Sequence, residues 1–335
     1  MKKILALIVL LTSLLCGNTS YAQRARMPQP LKPGDKIAII SPAGSHAYSI
    51  AERGRDELQK WGYVVEMGKS VGKNWHGYSG TPEQRRDDLL WALQDTAIKA
   101  IMCTRGGYGC SQVLSLVSPK VFRDNPKWII GYSDVTALLS AQVRAGVMSI
   151  HGNMCDPIAR DDSTCHALRY LLAGKMPLYN IGGDPHNKPG TARGMLVGGN
   201  LSVFTDIAAS PYDFLDRDFI KGKDIILFIE DTNEDFQHID RMLYQLKLRG
   251  VFKQIKGLIV GIFNGYSPGN GYKDMYDLIA EIVNDADIPI CYGFPAGHRG
   301  RTNYPLIEGC PVTLNVAMDS ATLQFNVPIR ISRPD

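Results

Sequence analysis

The stretch Trp128-Ile129-Ile130-Gly131-Tyr132-Ser133-Asp134-Val135-Thr136-Ala137 decides how this chain is read. An apolar run of strand length ends, a glycine admits a tight turn, and helix-forming residues follow at once. A serine in such a strand-to-helix turn has its hydroxyl lifted off the sheet and its N–H at the positive end of a helix. Two readings of Ser133 follow. It is placed as a nucleophile, or it N-caps the helix behind it, which serine does well.

Outward from this turn the pattern repeats. Residues 36–41, 63–67, 100–104 and 127–131 read as short strands, alternating with helices over 50–61, 83–94, 111–117 and 135–145. The helix over 83–94 follows the start signal Thr81-Pro82 and sets Leu89, Leu90 and Leu93 on one face. Strands that alternate with helices, and are apolar on both faces, predict an α/β domain with a parallel sheet covered on both sides. After Met148-Ser149-Ile150-His151 the rhythm breaks. Residues 156–190 hold one helical segment over 165–173, then a stretch rich in Gly, Pro and Asn, and read as a connection. Further strands are expected over 194–197, 224–229, 257–262, 289–292, 312–316 and 322–325. A helix over 236–249 carries Phe236, Ile239, Leu243 and Leu246 at helical spacing and stops at Gly250. The expected organisation is a first domain over 23–155, the connection over 156–190, and a mixed α/β, partly barrel-like second domain over 191–335.

The chain begins with Lys2 and Lys3, a short apolar run to Leu15, and Thr19-Ser20-Tyr21-Ala22. A basic start, a short apolar centre and a small-residue exit predict a secretory signal peptide over 1–22, too short for a membrane span. Cys16 raises a lipoprotein reading, but Ser13-Leu14-Leu15 lacks the small residue expected before a lipidated cysteine. Loss of the leader takes the formal charge from +4 to +2, which gives no electrostatic case for nucleic acid or an anionic membrane. Six cysteines remain, Cys103, Cys110, Cys155, Cys165, Cys291 and Cys310, most within apolar patterns where a free thiol is a small buried hydrophobe. His151 with Cys155 and Asp156 matches no standard zinc spacing, so no metal is expected.

Three strand-ending loops combine glycine with reactive groups, where sites form in open parallel sheets. Thr104-Arg105-Gly106-Gly107-Tyr108-Gly109 offers close backbone approach and free N–H groups for an oxyanion or carboxylate, or it is only a tight turn. No Gly-Lys-Ser/Thr follows, so a phosphate loop is not indicated. The second loop is the Ser133 turn, where the Asp134 N–H can donate to developing negative charge, while the Asp134 side chain suits a first helical turn. The third is Gly293-Phe294-Pro295-Ala296-Gly297-His298-Arg299-Gly300-Arg301, in which His298 is the best placed of seven histidines to serve as a base. A base needs an orienting acid, and the apolar run 225–229 leads straight into Glu230. Asp231 to Asp235 have a bland explanation, the capping of the helix at Phe236.

These segments together resemble the LD-carboxypeptidase, or muramoyltetrapeptide carboxypeptidase, family of serine peptidases, which includes microcin-resistance peptidases. The resemblance rests on Ile37-Ala38-Ile39-Ile40-Ser41-Pro42-Ala43-Gly44, Arg105-Gly106-Gly107-Tyr108-Gly109, Gly131-Tyr132-Ser133-Asp134 and His151-Gly152. It continues through Gly198-Gly199-Asn200-Leu201, Phe228-Ile229-Glu230-Asp231, Gly297-His298 and Asn303-Tyr304-Pro305-Leu306. It implies a Rossmann-like N-terminal domain carrying the nucleophile and a C-terminal domain carrying acid and base. The triad would be Ser133, Glu230 and His298, with Gly107 and Asp134 N–H groups as oxyanion donors and no cofactor. The implied reaction releases terminal D-alanine from a murein tetrapeptide, and homodimers are common. Asn200, Arg299 and Arg301 are candidate clamps for the substrate carboxylate. Members are often cytoplasmic, whereas the leader here points to the periplasm. The alternatives are cleavage of peptide–nucleotide conjugates and a non-catalytic muropeptide-binding role.

Overall fold

The computed structural model describes residues 25–160, 162–267, 269, 271–298 and 302–327; the expected leader, Cys16, Arg299 and Arg301 lie outside them. In chain order the strands are β1 (Lys36–Ile40), β2 (Val64–Met67), β3 (Ile98–Cys103), β4 (Trp128–Gly131), β5 (Ser149–His151), β6 (Leu178–Gly182) and β7 (Gly190–Asn200). They continue as β8 (Ile225–Thr232), β9 (Gly257–Asn264), β10 (Ile290–Cys291), β11 (Leu306–Glu308), β12 (Pro311–Val316) and β13 (Ser320–Phe325).

Two mixed sheets result. The first has the order β11-β5-β4-β3-β1-β2, parallel throughout except for β11. Ile37, Ala38, Ile39 and Ile40 have no exposed surface, so successive side chains are buried on opposite faces of β1, as a sheet covered by helices requires. The second sheet has the order β10-β9-β8-β7-β12-β13-β6. Its first four strands are parallel, and the last three add antiparallel pairs. The order is open; the chain after β6 reaches β10 only through an isolated bridge between Lys188 and Ile290. The helix Phe236–Leu248 buries Phe236, Ile239, Leu243 and Leu246, the four residues whose spacing marked it. Among the described residues no helix is long and apolar enough to cross a membrane. All six described cysteines are buried and free.

The two sheets are tied together. β11 comes late in the chain yet pairs with β5 of the first sheet, Leu306 opposite His151. At the end of β7, Asn200 N–H donates to Thr136 Oγ1 at 3.1 Å, in the helix that follows Ser133. Glycine is required here. A Cβ on Gly199 would lie 2.7 Å from Thr136 Oγ1, and one on Gly198 would lie 1.9 Å from Phe228 O of the adjacent strand.

Gly198→Ala is therefore expected to destabilise the fold by about 3 kcal/mol or more, because the clash is with backbone in a paired strand. Thermal unfolding of the variant beside the parent measures it, and an unchanged midpoint would contradict this packing.

Candidate active site

β4 ends at Gly131, and a 3-10 turn over Ser133–Val135 leads into the helix Thr136–Arg144. Ser133 takes φ +63°, a left-handed conformation that costs a non-glycine residue about 1–3 kcal/mol. Its side chain caps neither the 3-10 turn, whose N-cap is Tyr132, nor the following helix, whose N-cap is Val135. The strain is thus not repaid by capping. Two glycines make room for the turn. A Cβ on Gly131 would stand 2.7 Å from Val135 Cγ1, and one on Gly106 would stand 2.8 Å from Ser133 Oγ.

That second approach brings the glycine-rich loop against the serine. The same position lies 3.2 Å from Asp134 N, so the loop carrying Gly107 meets the turn carrying Asp134 beside the hydroxyl. Asp134 occupies the second position of the 3-10 turn, where a backbone N–H has no partner in the turn itself. Its buried side chain accepts from Cys110 N at 2.8 Å, fastening the end of the loop. Burial pushes the Asp134 pKa up, partly offset by the Cys110 hydrogen bond and the charge of Arg85.

Arg85 was not singled out in the sequence, where it is one arginine on a polar-looking helix. It is fully buried and donates to Pro42 O at 2.7 Å, Gly109 O at 2.8 Å, Gly80 O at 3.2 Å and Gln112 Oε1 at 2.6 Å. One guanidinium therefore splices three loops, including the glycine-rich one. The only sequence signal was the Arg85–Asp88 pair facing the side that Leu89 and Leu93 mark as buried.

Glu230 has no exposed surface and sits where the register between β8 and β9 shifts. Such a bulge re-aims a side chain. Glu230 Oε2 accepts from His298 Nδ1 at 2.7 Å. A carboxylate oxygen can only accept, so the imidazole proton is on Nδ1 and Nε2 is left as a base. Burial pulls the His298 pKa down, but the charge and hydrogen bond of Glu230, with Asp231 adding, outweigh it and the net shift is upward. Gly297 holds φ +137°, and a Cβ there would come within 3.2 Å of Glu230 Oε2. Its N–H donates to Asn303 Oδ1 at 3.0 Å, and Asn303 Nδ2 donates to Asn153 Oδ1 at 3.1 Å, tying the histidine loop to the first half of the chain.

The Tyr132 ring lies edge-on to His298 with centroids 5.0 Å apart, which brings the histidine beside the residue that precedes Ser133. His298 Nε2 is buried without a hydrogen-bond partner, so the contact to Ser133 is not made in this conformation. Serine–histidine hydrogen bonds of unliganded sites are often loose and tighten on substrate.

Other candidates are placed differently. Asn200 is buried; its Oδ1 caps the helix Leu201–Asp206 through Val203 N, and its Nδ2 donates to Asp231. Asp231 was expected to serve the helix at Phe236, a role that Asp235 fills through His238 N. Asp231 instead accepts from Ser202 N at 2.7 Å, and burial with the neighbouring Glu230 charge pushes its pKa up to about 7. His151 lies fully buried against Tyr132 and Phe228, and burial pushes its pKa down to about 4. Asp156 is paired with Arg53, and Cys155 is buried. Among the described residues the one grouping at metal-ligand distance is His186, Asp274 and Asp277, where both His186 nitrogens already face carboxylates of Asp184 and Asp277.

Known proteins share this architecture. A family model described as the LD-carboxypeptidase N-terminal domain matches residues 37–152, and one described as the LD-carboxypeptidase C-terminal domain matches 193–314. The chain belongs to the LD-carboxypeptidase family, which makes it a hydrolase of the peptidase class. It is 31% identical over 310 residues to a Bacillus subtilis protein named probable murein peptide carboxypeptidase, covering 90% of this chain and 95% of the relative. It is 27% identical over 294 residues to the murein tetrapeptide carboxypeptidase of Pseudomonas aeruginosa, covering 83% and 93%. The crystal structure of muramoyltetrapeptide carboxypeptidase from Oxalobacter formigenes superimposes with a TM-score of 0.77 at 25% identity, covering 87% and 99%.

The pair has a signature in solution. Because the folded pKa of His298 is raised above the ordinary 6.5, its contribution to stability is fully present below that value and is lost as pH rises through the folded pKa. Glu230→Gln should move the His298 midpoint, read by NMR titration, below that of the parent. An unmoved midpoint would mean that the carboxylate does not govern the imidazole.

Proposed function

We propose that this chain is an exported serine LD-carboxypeptidase that releases terminal D-alanine from murein tetrapeptides. The observation that carries the reading is the 2.7 Å contact between His298 Nδ1 and the buried Glu230, one tyrosine ring from the strained Ser133 turn. In the proposed reaction His298 Nε2 takes the Ser133 proton as the serine oxygen attacks the carbonyl next to D-alanine. Glu230 holds the ring and answers the charge of the imidazolium. The N–H groups of Gly107 and Asp134 receive the oxyanion. His298 then returns the proton to the leaving amine, D-alanine departs, and water hydrolyses the acyl-enzyme by the same path in reverse.

Peptide hydrolysis of this kind needs no group that the chain does not itself supply. The substrate carboxylate calls for a cation or amide; Arg299 and Arg301, one and three residues beyond His298, are the proposed clamp. With Asn200 committed to its own helix cap, a direct contact from its side chain has less support. The leader over 1–22 supports export, so the substrate would be met in the periplasm. A homodimer belongs to the same proposal, and light scattering on the purified chain reads it.

Ser133→Ala should abolish D-alanine release from a tetrapeptide while the variant still binds it. Glu230→Gln should lower kcat/KM by roughly 10²–10⁴-fold, as expected when a base loses its orienting acid. A parent protein that releases no D-alanine would sink the proposal.

A further inference from the structure

A row of aromatic rings extends from the glycine-rich loop along the surface, and the reaction above does not use it. Tyr108 directly follows Gly107 and is 66% exposed. Its ring centroid lies 5.9 Å from that of Tyr78, Tyr78 lies 6.2 Å from Trp75, and Trp75 lies 4.6 Å from His76. Trp75 is 41% exposed, whereas Trp61 and Trp128 are buried.

The end of the row at Trp75 and Tyr78 is held rigidly. Trp75 and Tyr78 exchange backbone hydrogen bonds of 2.8 and 2.9 Å across a two-residue turn. His76 and Gly77 take φ +51° and +86°, the double left-handed conformation of a tight hairpin turn. Asn74 Oδ1 accepts from Gly77 N, and Ser45 N donates to Gly77 O at 2.8 Å, docking the turn on the segment that also binds Gly106 through Gly44 N. Arg85 lies beneath Tyr78, 5.0 Å from its centroid, so the same guanidinium that fixes the glycine loop backs the aromatic row.

Packing alone explains Tyr78 but not its neighbours. A histidine in a left-handed turn is strained, and exposed tryptophan and tyrosine rings gain nothing from water. Rigid, solvent-facing rings beside a reactive loop are what a ligand stacks on. Their mutual tilts of 37° and 39° make a curved face and not one flat plate. A curved face suits the C–H surface of a puckered pyranose better than a planar base. In a muropeptide three amino acids separate the scissile carbonyl from the sugar, a span of about 10 Å at 3.3–3.6 Å per residue. A sugar subsite must therefore begin close to the Ser133 turn, and Tyr108 lies two residues beyond the Gly106 that meets Ser133.

We propose that the Tyr108–Tyr78–Trp75 row is a saccharide subsite that seats the amino-sugar end of a glycan-bearing muropeptide. It rests on the tetrapeptide reading above and makes sugar-linked stems, not free peptides, the preferred substrate.

The test pairs kinetics with binding on the full mature chain. The parent should release D-alanine from a disaccharide-tetrapeptide with kcat/KM roughly tenfold above that for free tetrapeptide, the scale of one stacking contact. Trp75→Ala should erase that preference and leave the rate on free tetrapeptide within about twofold, while Trp75→Phe, which keeps a ring, should retain most of the preference. Tyr108→Ala repeats the comparison should Trp75→Ala fail to fold; because the readout is a ratio of two substrates, any common effect on catalysis cancels. Separately, N-acetylglucosaminyl-N-acetylmuramic acid without peptide should quench tryptophan emission of the parent and of Ser133→Ala, but not of Trp75→Ala.

Equal rates on both substrates with no quenching would overturn the subsite and leave the carboxypeptidase intact. A uniform loss on both substrates in Trp75→Ala would do the same. If no tetrapeptide is cleaved, the enzyme reading falls, and quenching alone decides the subsite. Quenching by adenosine monophosphate but not by the disaccharide would assign the row to a base and overturn the saccharide.

Discussion

A carboxylate with no solvent exposure persists only if its charge is answered, and Glu230 is answered by His298 at 2.7 Å. One strand shift and several loop residues make room for that contact. β8 breaks register with β9 at Glu230, Gly297 leaves room for its oxygen, and Asn303 and Asn153 anchor the histidine loop to the other half of the chain. The pair also sets the chemistry. Burial by itself would keep the imidazole neutral and weakly basic, while the adjacent carboxylate restores its basicity and directs its free nitrogen away from Glu230.

Glycine supplies the other constraint, which is proximity. The serine turn, the glycine-rich loop and the end of β7 approach one another more closely than side chains allow, and Gly106, Gly131, Gly198 and Gly199 sit at the contacts. Arg85 and Asp134 then fix what the glycines leave free. Arg85 bonds the carbonyls of three loops, and Asp134 holds the first amide of the helix Cys110–Leu114. Strain at Ser133 survives because these neighbours determine its backbone from both sides.

The alternating pattern was legible because the inner strands of the first sheet are buried on both faces, while the edge strand β2 is only half-buried. β6 and β11 were not legible. Leu178–Gly182 lies in a stretch whose glycines and prolines read as connection, and Leu306–Glu308 is three residues long and gains its identity only by pairing with β5. Arg85 was illegible for a similar reason, since its partners are backbone carbonyls that carry no sequence code. The same holds for the aromatic row, whose members lie more than thirty positions apart at Trp75 and Tyr108.

What the sequence determined by itself was local: the strand-to-helix turn at Ser133, the acid at the end of an apolar strand, the histidine between glycines, and the motif order that marks the family. Those features follow from periodicity and from residue types that act over a few positions. Tertiary structure decided which groups meet. It paired Glu230 with His298 across 68 positions, gave Asp231 to a helix other than the expected one, and committed Asn200 to a cap. It also removed capping as the explanation of Ser133, because a side chain's partner is set by the backbone geometry around it and not by its place in a pattern.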